Sequence, residues 1–316
     1  METIVAGLKL LRDTVRAFLQ DKAMLYAAGL AYYAVFSLAP LLVFIIAVAG
    51  FFIGRSAASD QIVQQLQMIM GAELGGFLEE LIAAVADQTG TGTVTALSVV
   101  GLLFGAAGIF NQIRNSVDIL WGLVVRPPRS GRDWLLTVRS RAIPFLMVFF
   151  FGLVLSAVVM LDTVLVLVEN RLAVFFPELS AALPSLGGVF VPLLAFVTFA
   201  LIYKLLPDAR ARWRDILPGA ALATILFLLG RTLLAVYLDN SQTGSAFGAA
   251  GSLVVLLLWV YVSANILLLG AEFIKLYALR HGRPIRPSAV ARFEGDPIAE
   301  ELPPGPAGLP LDERVL

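Results

Sequence analysis

The stretch FGAAGSLVVLLLWVYVSANILLLGAEFIK, residues 247–275, decides the fold of this chain. It contains 25 consecutive uncharged residues before Glu272. About 20 apolar residues in a helix cross a hydrocarbon core of about 30 Å, so this stretch is long enough to span a membrane. Tyr261, Asn265 and Glu272 are separated by four and seven residues and therefore share one helical face. The stretch predicts a transmembrane helix with one polar face.

The composition of the whole chain is typical of a membrane protein. Of its 316 residues, 59% are hydrophobic and 15% are charged, whereas soluble domains contain about 25% charged residues. The formal net charge is zero, which gives no indication of nucleic-acid binding. The absence of cysteine excludes disulfides and thiol chemistry. We expect an all-α integral membrane protein without a cofactor, a metal or catalytic residues.

Apolar runs recur along the chain and predict a bundle of six transmembrane helices. The spans are expected at about residues 23–54, 93–113, 142–161, 186–203, 216–238 and 247–274, within a membrane domain of residues 23–280. Residues 1–22 mix apolar and basic positions at helical spacing, which predicts an amphipathic interfacial helix. Short amphipathic helices outside the membrane are expected in residues 55–92. Residues 281–316 end in a stretch rich in Pro, Gly and acidic residues and predict a disordered tail.

Lysine and arginine are distributed unequally between the segments that connect the spans. Eighteen lie in one set of alternating segments, and only Arg55 and Arg171 lie in the other set. Positively charged segments concentrate on the cytoplasmic side of a membrane. We therefore predict that the N- and C-termini are both cytoplasmic.

Four stretches of the chain carry a resemblance to a known family. They are YAAGLAYYAVFSLAPLL at 26–42, FNQIRNSVDILWG at 110–122, LLPDARARWRDILPGA at 205–220 and FGAAGSLVVLLLWVYVSANILLLGAEF at 247–273. Together they resemble the YihY/BrkB family of bacterial inner-membrane proteins, over about residues 20–280. The resemblance implies six spans in the inner membrane and a role in the cell envelope. Members of the family have been discussed as transporters of envelope components and as serum-resistance factors.

An older ribonuclease label in this family is not supported by the residues present. Metal-dependent nucleases hold their metals with clusters of histidine and aspartate. This chain has one histidine, His281, in a basic stretch beyond the last predicted span. It also contains no Gly-rich phosphate loop and no evident pair of catalytic carboxylates. We therefore do not expect an enzyme.

Polar residues in or beside the spans are the candidates for a functional site, because ionisable groups at membrane depth usually face a bundle interior or a water-filled cavity. One group consists of Asn111, Gln112, Arg114, Asn115 and Asp118, and a second consists of Asn265 and Glu272. Each group has two interpretations, as the lining of a translocation route or as structural hydrogen bonding near the membrane interface. We expect Arg114 and Glu272 to lie at the same depth, and the two can pair if their helices are neighbours.

Arg231 is a third candidate because it lies about 15 residues into the fifth predicted span, in its outer half. An arginine at that depth requires a compensating anion. Asp162 or Asp239 would make its role structural. A phosphate or carboxylate of a transported amphiphile is the alternative, since a guanidinium binds such groups well.

The first two spans carry features that predict how they pack. Pro40 lies in the middle of the first span with Ser37 one turn earlier, which predicts a kink. Tyr32 and Tyr33 precede them, and we interpret this whole group as packing residues rather than substrate ligands. In the second span, a stripe of glycines would allow another backbone to approach closely; it consists of Gly101, Gly105 and Gly108.

Two functions follow from these observations. The first, which we favour, is a transporter or flippase-like exporter of an amphipathic, lipid-like envelope component. The second is a non-transporting scaffold that supports envelope integrity or serum resistance. Membrane lipids are the expected partners in both cases, and the sequence predicts no oligomeric state. The two functions differ in whether the polar groups line a cavity or form closed pairs.

Overall fold

The computed structural model describes residues 2–54, 56, 59–64, 96–128, 130–150, 153–154, 177–240 and 251–294. Within these residues the chain is mainly helical, which confirms the predicted helical class. The long helices are α1 Glu2–Gln20, α2 Ala23–Ile53, α3 Ala96–Leu120, α4 at 131–150, α5 Pro177–Leu205, α6 Trp213–Asn240 and α7 Gly251–Arg280. The strands are β1 Leu123–Val125, β2 Ala209–Arg210, β3 Arg286–Pro287 and β4 Ala291–Phe293.

Two helical stretches in the described residues are long and apolar enough to cross a membrane. They are Trp213–Tyr237 in α6 and Leu253–Arg280 in α7, which contain most of the fifth and sixth predicted spans. The apolar stretches Ala23–Leu38 and Val191–Leu205 are shorter. Most of the predicted amphipathic region at 55–92 lies outside the described residues.

The helices approach one another closely at small residues. Gly270 of α7 lies where α5 and α6 meet it, because a Cβ atom there would be 3.1 Å from Ala223 Cβ and would overlap the Tyr203 hydroxyl. A Cβ atom on Gly108 of α3 would lie 3.1 Å from Ser37 Oγ of α2. The glycine stripe predicts the close approach of another backbone, and at Gly108 the nearest neighbour is the Ser37 side chain of α2. The helix α2 continues without a break through Pro40.

The helix α1 packs along α7 with one face and leaves an apolar row exposed on another. Arg280 donates from Nη1 to Ala6 O at 3.0 Å and from Nη2 to Asp13 Oδ2 at 2.5 Å. Phe18 of the same helix lies in the core. The exposed row consists of Val5, Leu8, Leu11, Val15 and Leu19. An interfacial position for α1 stays a prediction.

Two antiparallel strand pairs connect the segment after α7 to earlier loops. β1 pairs with β4, with Leu123 opposite Phe293, and β2 pairs with β3, with Arg210 opposite Arg286. The sequence did not predict these short strand pairs, which are the non-helical elements among the described residues. We call the end of the bundle where they lie the strand end.

The same pairs correct the predicted boundary of the disordered tail, because residues 281–294 are ordered. Two features account for this order. Val290 and Ala291 are buried. In addition, the backbone N–H groups of Ser288 and Glu294 donate to Asp208 O at 2.9 Å and to Gly122 O at 2.8 Å. Residues 295–316 lie outside the described residues.

Candidate functional site

Arg114 is the centre of a buried polar cluster near the C-terminal end of α3. It lies one residue beyond the second predicted span, and only 4% of its side chain is exposed. Its Nη1 donates to Ser140 O at 2.7 Å and its Nη2 to Ser140 Oγ at 2.5 Å. Nη2 also forms an ion pair with Asp208, and Nε lies 3.8 Å from Asp118 Oδ2. One guanidinium thus joins α3, α4 and the loop after α5, and we call these four residues the Arg114 network.

The two carboxylates of the Arg114 network are also connected directly. The Asp208 N–H donates to Asp118 Oδ1 at 2.8 Å, and Ser140 Oγ donates to Asp208 Oδ1 at 3.3 Å. Burial, with a further contribution from the charge of Asp208, raises the pKa of Asp118 to about 7. In the part of the chain that the structure describes, no group of three or more His, Cys, Asp or Glu residues is placed to hold a metal. Asp118 and Asp208 both lie against the guanidinium of Arg114.

Glu272 of α7 belongs to a second polar cluster, centred on Lys275. The carboxyl group of Glu272 is fully buried, and its Oε1 lies 3.3 Å from Lys275 Nζ. Lys275 Nζ also donates to Leu120 O at 2.5 Å and to Asp21 Oδ2 at 3.0 Å. This lysine therefore joins α7 to the end of α3 and to the turn between α1 and α2.

The expected pairing of Arg114 with Glu272 is wrong. The helices α3 and α7 do touch, but Trp121 Nε1 donates to Ala271 O at 3.0 Å, so Glu272 lies beside the end of α3. At 1.5 Å per residue, that level is about 10 Å along the helix axis from Arg114. Each charge therefore pairs with a nearer partner, Arg114 with Asp208 and Glu272 with Lys275.

The other polar candidates on α3 and α7 do not join these clusters. Asn115 is exposed, and Asn111 and Gln112 are half-buried outside the Arg114 network. Asn265 donates from Nδ2 to Tyr261 O of its own helix at 2.7 Å. Its Oδ1 is buried without a hydrogen-bond partner among the described residues. The shared helical face correctly placed Asn265 next to Tyr261 in α7, but it did not predict that the Asn265 side chain bonds to the Tyr261 backbone.

An apolar cavity of about 300 Å³ lies between α2, α3, α5 and α7. This volume is at the lower end of the range for small-molecule sites. Its described lining is hydrocarbon and aromatic apart from the hydroxyl groups of Ser37 and Ser263. Ser37 therefore lines a cavity, in addition to the packing role expected from its position before Pro40. Further lining residues are Leu30, Ala34, Ile113, Phe199, Trp259 and Leu267.

Arg231 lies on α6, next to this apolar cavity. It is half-buried beside a void of about 10 Å³. Trp259 and Ser263 line both the void and the apolar cavity, so they form a wall between Arg231 and that cavity. Of its predicted partners, Asp162 lies outside the described residues, as does the side chain of Asp239.

Four residues of the polar clusters were missed by the sequence analysis; they are Asp21, Ser140, Asp208 and Lys275. Asp208 lies five residues beyond a predicted span, within a basic loop, and Lys275 is three residues from Glu272, so both carried a signal. Ser140 had none, because serine is common at helix ends and its role depends on how α4 packs.

Comparison with known proteins gives matches over most of the chain. The family model described as Virulence factor BrkB matches residues 14–292. A UPF0761 membrane protein of Xanthomonas campestris pv. campestris (strain B100) is 27% identical over 296 residues, and one of Xanthomonas oryzae pv. oryzae (strain PXO99A) is 28% identical over 300 residues. Both matches cover 92% of this chain but 62% of the relative, so the chain spans less than two thirds of their length. No solved structure matches.

Proposed function

We propose that this protein exports an amphipathic, lipid-like component of the cell envelope. The starting point is that the chain belongs to the virulence factor BrkB family of membrane proteins. The family match confirms the resemblance carried by the four sequence stretches, which lie within the matched region. The relatives are named as membrane proteins and their names state no substrate. The observation that carries the proposal is the position of Arg231 beside the apolar cavity.

The cavity and the arginine suit the two halves of an amphiphile. An apolar chain fits a cavity whose described lining is hydrocarbon and aromatic. An anionic headgroup suits a half-buried guanidinium, which binds phosphate or carboxylate in bidentate fashion. Trp259 and Ser263 separate Arg231 from the apolar cavity. A movement of α7 against α6 would join the cavity and the arginine into one site.

We place the protein in the bacterial inner membrane with six spans, an interfacial α1 and both termini in the cytoplasm. The unequal distribution of lysine and arginine supports this orientation, and the exposed apolar row of α1 supports its interfacial position. The strand end then faces the cytoplasm, and the Arg114 network lies at the inner ends of the spans.

Cysteine labelling tests this orientation, because the chain has no native cysteine. We expect a cysteine at Ser130, which is exposed, to resist a membrane-impermeant thiol reagent in intact cells and to react in inverted vesicles. A cysteine at Thr89, outside the described residues, should give the opposite result. Labelling of the Ser130 site in intact cells would reverse the orientation.

Reconstitution tests transport directly. Purified protein in liposomes should move a labelled lipid-like amphiphile between leaflets faster than protein-free liposomes do. Ala34→Phe fills the apolar cavity from α2 and should abolish the movement, whereas Ala28→Phe places the same bulk on an exposed position of that helix and should not. Equal transport by the two variants would remove the cavity from the mechanism.

Substitution of Arg231 separates a substrate role from a structural one. In a substrate role, Arg231→Gln should abolish movement of an anionic amphiphile with little change in thermal stability, and Asp162→Asn should be mild. If Arg231 is structural, either change should lower stability, and the double variant should recover part of the loss.

A non-transporting scaffold is the second candidate, and the closure of the polar clusters favours it. Arg114 and Lys275 bond to acids and carbonyl groups of their own chain, so these groups join helices rather than line an open route. A scaffold would keep its envelope phenotype in the Ala34→Phe variant. Loss of that phenotype with intact protein levels would reject the scaffold.

A further inference from the structure

We propose that a basic pocket at the strand end binds a phosphate-bearing anion, and that the headgroup of an anionic phospholipid is the source its surroundings favour. The pocket has a volume of about 820 Å³. Its charged lining consists of Lys204, Arg210, Arg212, Arg283, Arg286 and Asp215. The site shares no residue with the apolar cavity or with the void beside Arg231, and it does not depend on transport.

The pocket contains more positive charge than its own acid neutralises. Asp215 forms an ion pair with Arg283, at 2.8 Å from Oδ1 to Nη2. Lys204 Nζ donates to Ala211 O at 2.7 Å and lies 5.6 Å from the ring centroid of Trp213. The three remaining arginines are exposed and have no hydrogen bond or ion pair from their side chains to any described residue; they are Arg210, Arg212 and Arg286.

Two of these arginines are held opposite each other by the backbone. Arg210 of β2 is the direct cross-strand partner of Arg286 in β3. Like charges in that position, with Cβ atoms about 4.5–5.5 Å apart, destabilise a strand pair. An anion between them converts the repulsion into two attractions, and a phosphate oxygen set matches two guanidinium groups in geometry.

The backbone adds to the attraction for an anion. The helix α6 begins at Trp213, in the wall of the pocket, and is 28 residues long. The first N–H groups of a helix have no partner within it, and its N-terminus carries a partial positive charge. Asp215 in the first turn of α6 is itself paired with Arg283, so the partial positive charge of this N-terminus adds to that of the arginines lining the pocket.

A lipid suits the surroundings of the pocket better than a free anion. Trp213 lines the pocket and is exposed, and two further exposed apolar residues are close to the lining in sequence: Leu205 follows Lys204, and Leu217 is one turn from Trp213 in α6. Acyl chains of a lipid would cover these side chains while its phosphate meets the arginines. In the proposed orientation the pocket faces the cytoplasmic leaflet, where anionic lipids attract clusters of basic residues.

The pocket and the proposed transport site are far apart. Arg231 is 18 residues from Trp213 along α6, which corresponds to about 27 Å. A variant of the pocket therefore leaves the cavity intact, and a failure of one proposal leaves the other standing.

Lipid binding to the full-length protein in a neutral detergent tests the proposal. The probes are phosphatidylglycerol, phosphatidylcholine and inorganic phosphate. The test variant is Arg210→Gln with Arg286→Gln, and the matched control is Arg132→Gln with Arg139→Gln, which removes the same charge from exposed positions of α4. We expect phosphatidylglycerol to bind wild type and control alike, and the test variant roughly tenfold or more weakly. Phosphatidylcholine should bind all three proteins equally and weakly.

Inorganic phosphate distinguishes the two sources of the anion. If phosphate binds with the same dependence on Arg210 and Arg286 and competes fully with phosphatidylglycerol, the site takes a free phosphate group. If phosphate does not compete, the acyl chains are required and the ligand is a lipid. Equal affinity of test variant and control for both probes would overturn the proposal. Should the double variant fail to fold, Arg212→Gln, outside the strands, gives the same readout.

Discussion

Arg114 and Arg210 lie at the same end of the molecule and have opposite surroundings. Arg114 is buried and faces two carboxylates, whereas Arg210 is exposed and faces another arginine. The loop after α5 serves both, because Asp208 reaches into the Arg114 network and Arg210, two residues later, lines the basic pocket. An arginine that is buried against carboxylates joins helices, whereas an exposed arginine opposite another arginine is available to the anion that we propose.

The largest effect should come from removing the buried arginine. Arg114→Met leaves Asp118 and Asp208 buried without a cation, and we expect a loss of about 3–5 kcal/mol in the free energy of unfolding. Unfolding in mixed detergent micelles measures it, with Arg139→Met as the exposed control. Adding Asp208→Asn should recover part of the loss. An unchanged stability would mean that the network does not hold α3, α4 and α5 together.

A smaller loss is expected at the second cluster. Lys275→Met leaves Glu272 fully buried without its cation and should lower the free energy of unfolding by about 1–3 kcal/mol, since the lysine itself is partly exposed. Glu272→Gln in that background replaces the stranded carboxylate with a neutral amide, so it should raise the stability again. A further decrease in the double variant would contradict the pairing.

The Arg114 network should also make stability depend on pH. The pKa of Asp118 is raised from 3.8 to about 7, so the folded state binds its proton more tightly than the unfolded state does. The resulting stabilisation is complete below about pH 4 and is lost as the pH rises through about 7. Between about pH 4 and about pH 7, the midpoint of thermal unfolding should therefore decrease as the pH rises. It should decrease less steeply in Asp118→Asn than in wild type. If the midpoint decreases equally steeply with pH in both proteins, Asp118 is not the source of the pH dependence.

The smallest effect on the free energy of unfolding is expected at the basic pocket, where a substitution should stabilise the protein instead of destabilising it. Arg210→Gln removes a repulsion from Arg286, so lipid-free protein should be unchanged or more stable by about 0.2–0.5 kcal/mol. Phosphatidylglycerol should stabilise wild type more than this variant. A destabilisation similar to that of Arg114→Met would show that both arginines are structural.

The sequence predicted those features that depend on local spacing or apolar length. The span in α7 follows from its uncharged run, and Arg114 and Asp118 are recognisable as a pair four residues apart. Asp208 is 94 residues from Arg114, and nothing in either segment indicates that they meet. The order of residues 281–294 was hidden for the same reason, because a polar and proline-containing segment gains its structure only from partners in distant loops.

The pairing of β1 with β4 sets the order in which the protein is assembled. Leu123 precedes its partner Phe293 by 170 residues, so the ribosome must synthesise α4 to α7 before the two can meet. An isolated pair of short strands is marginally stable, so the helices must first hold the loops near one another. Ordering of the strand end is therefore a late step of biogenesis. A chain that stops before residue 286 would insert its helices but lack both strand pairs and Arg286 of the basic pocket.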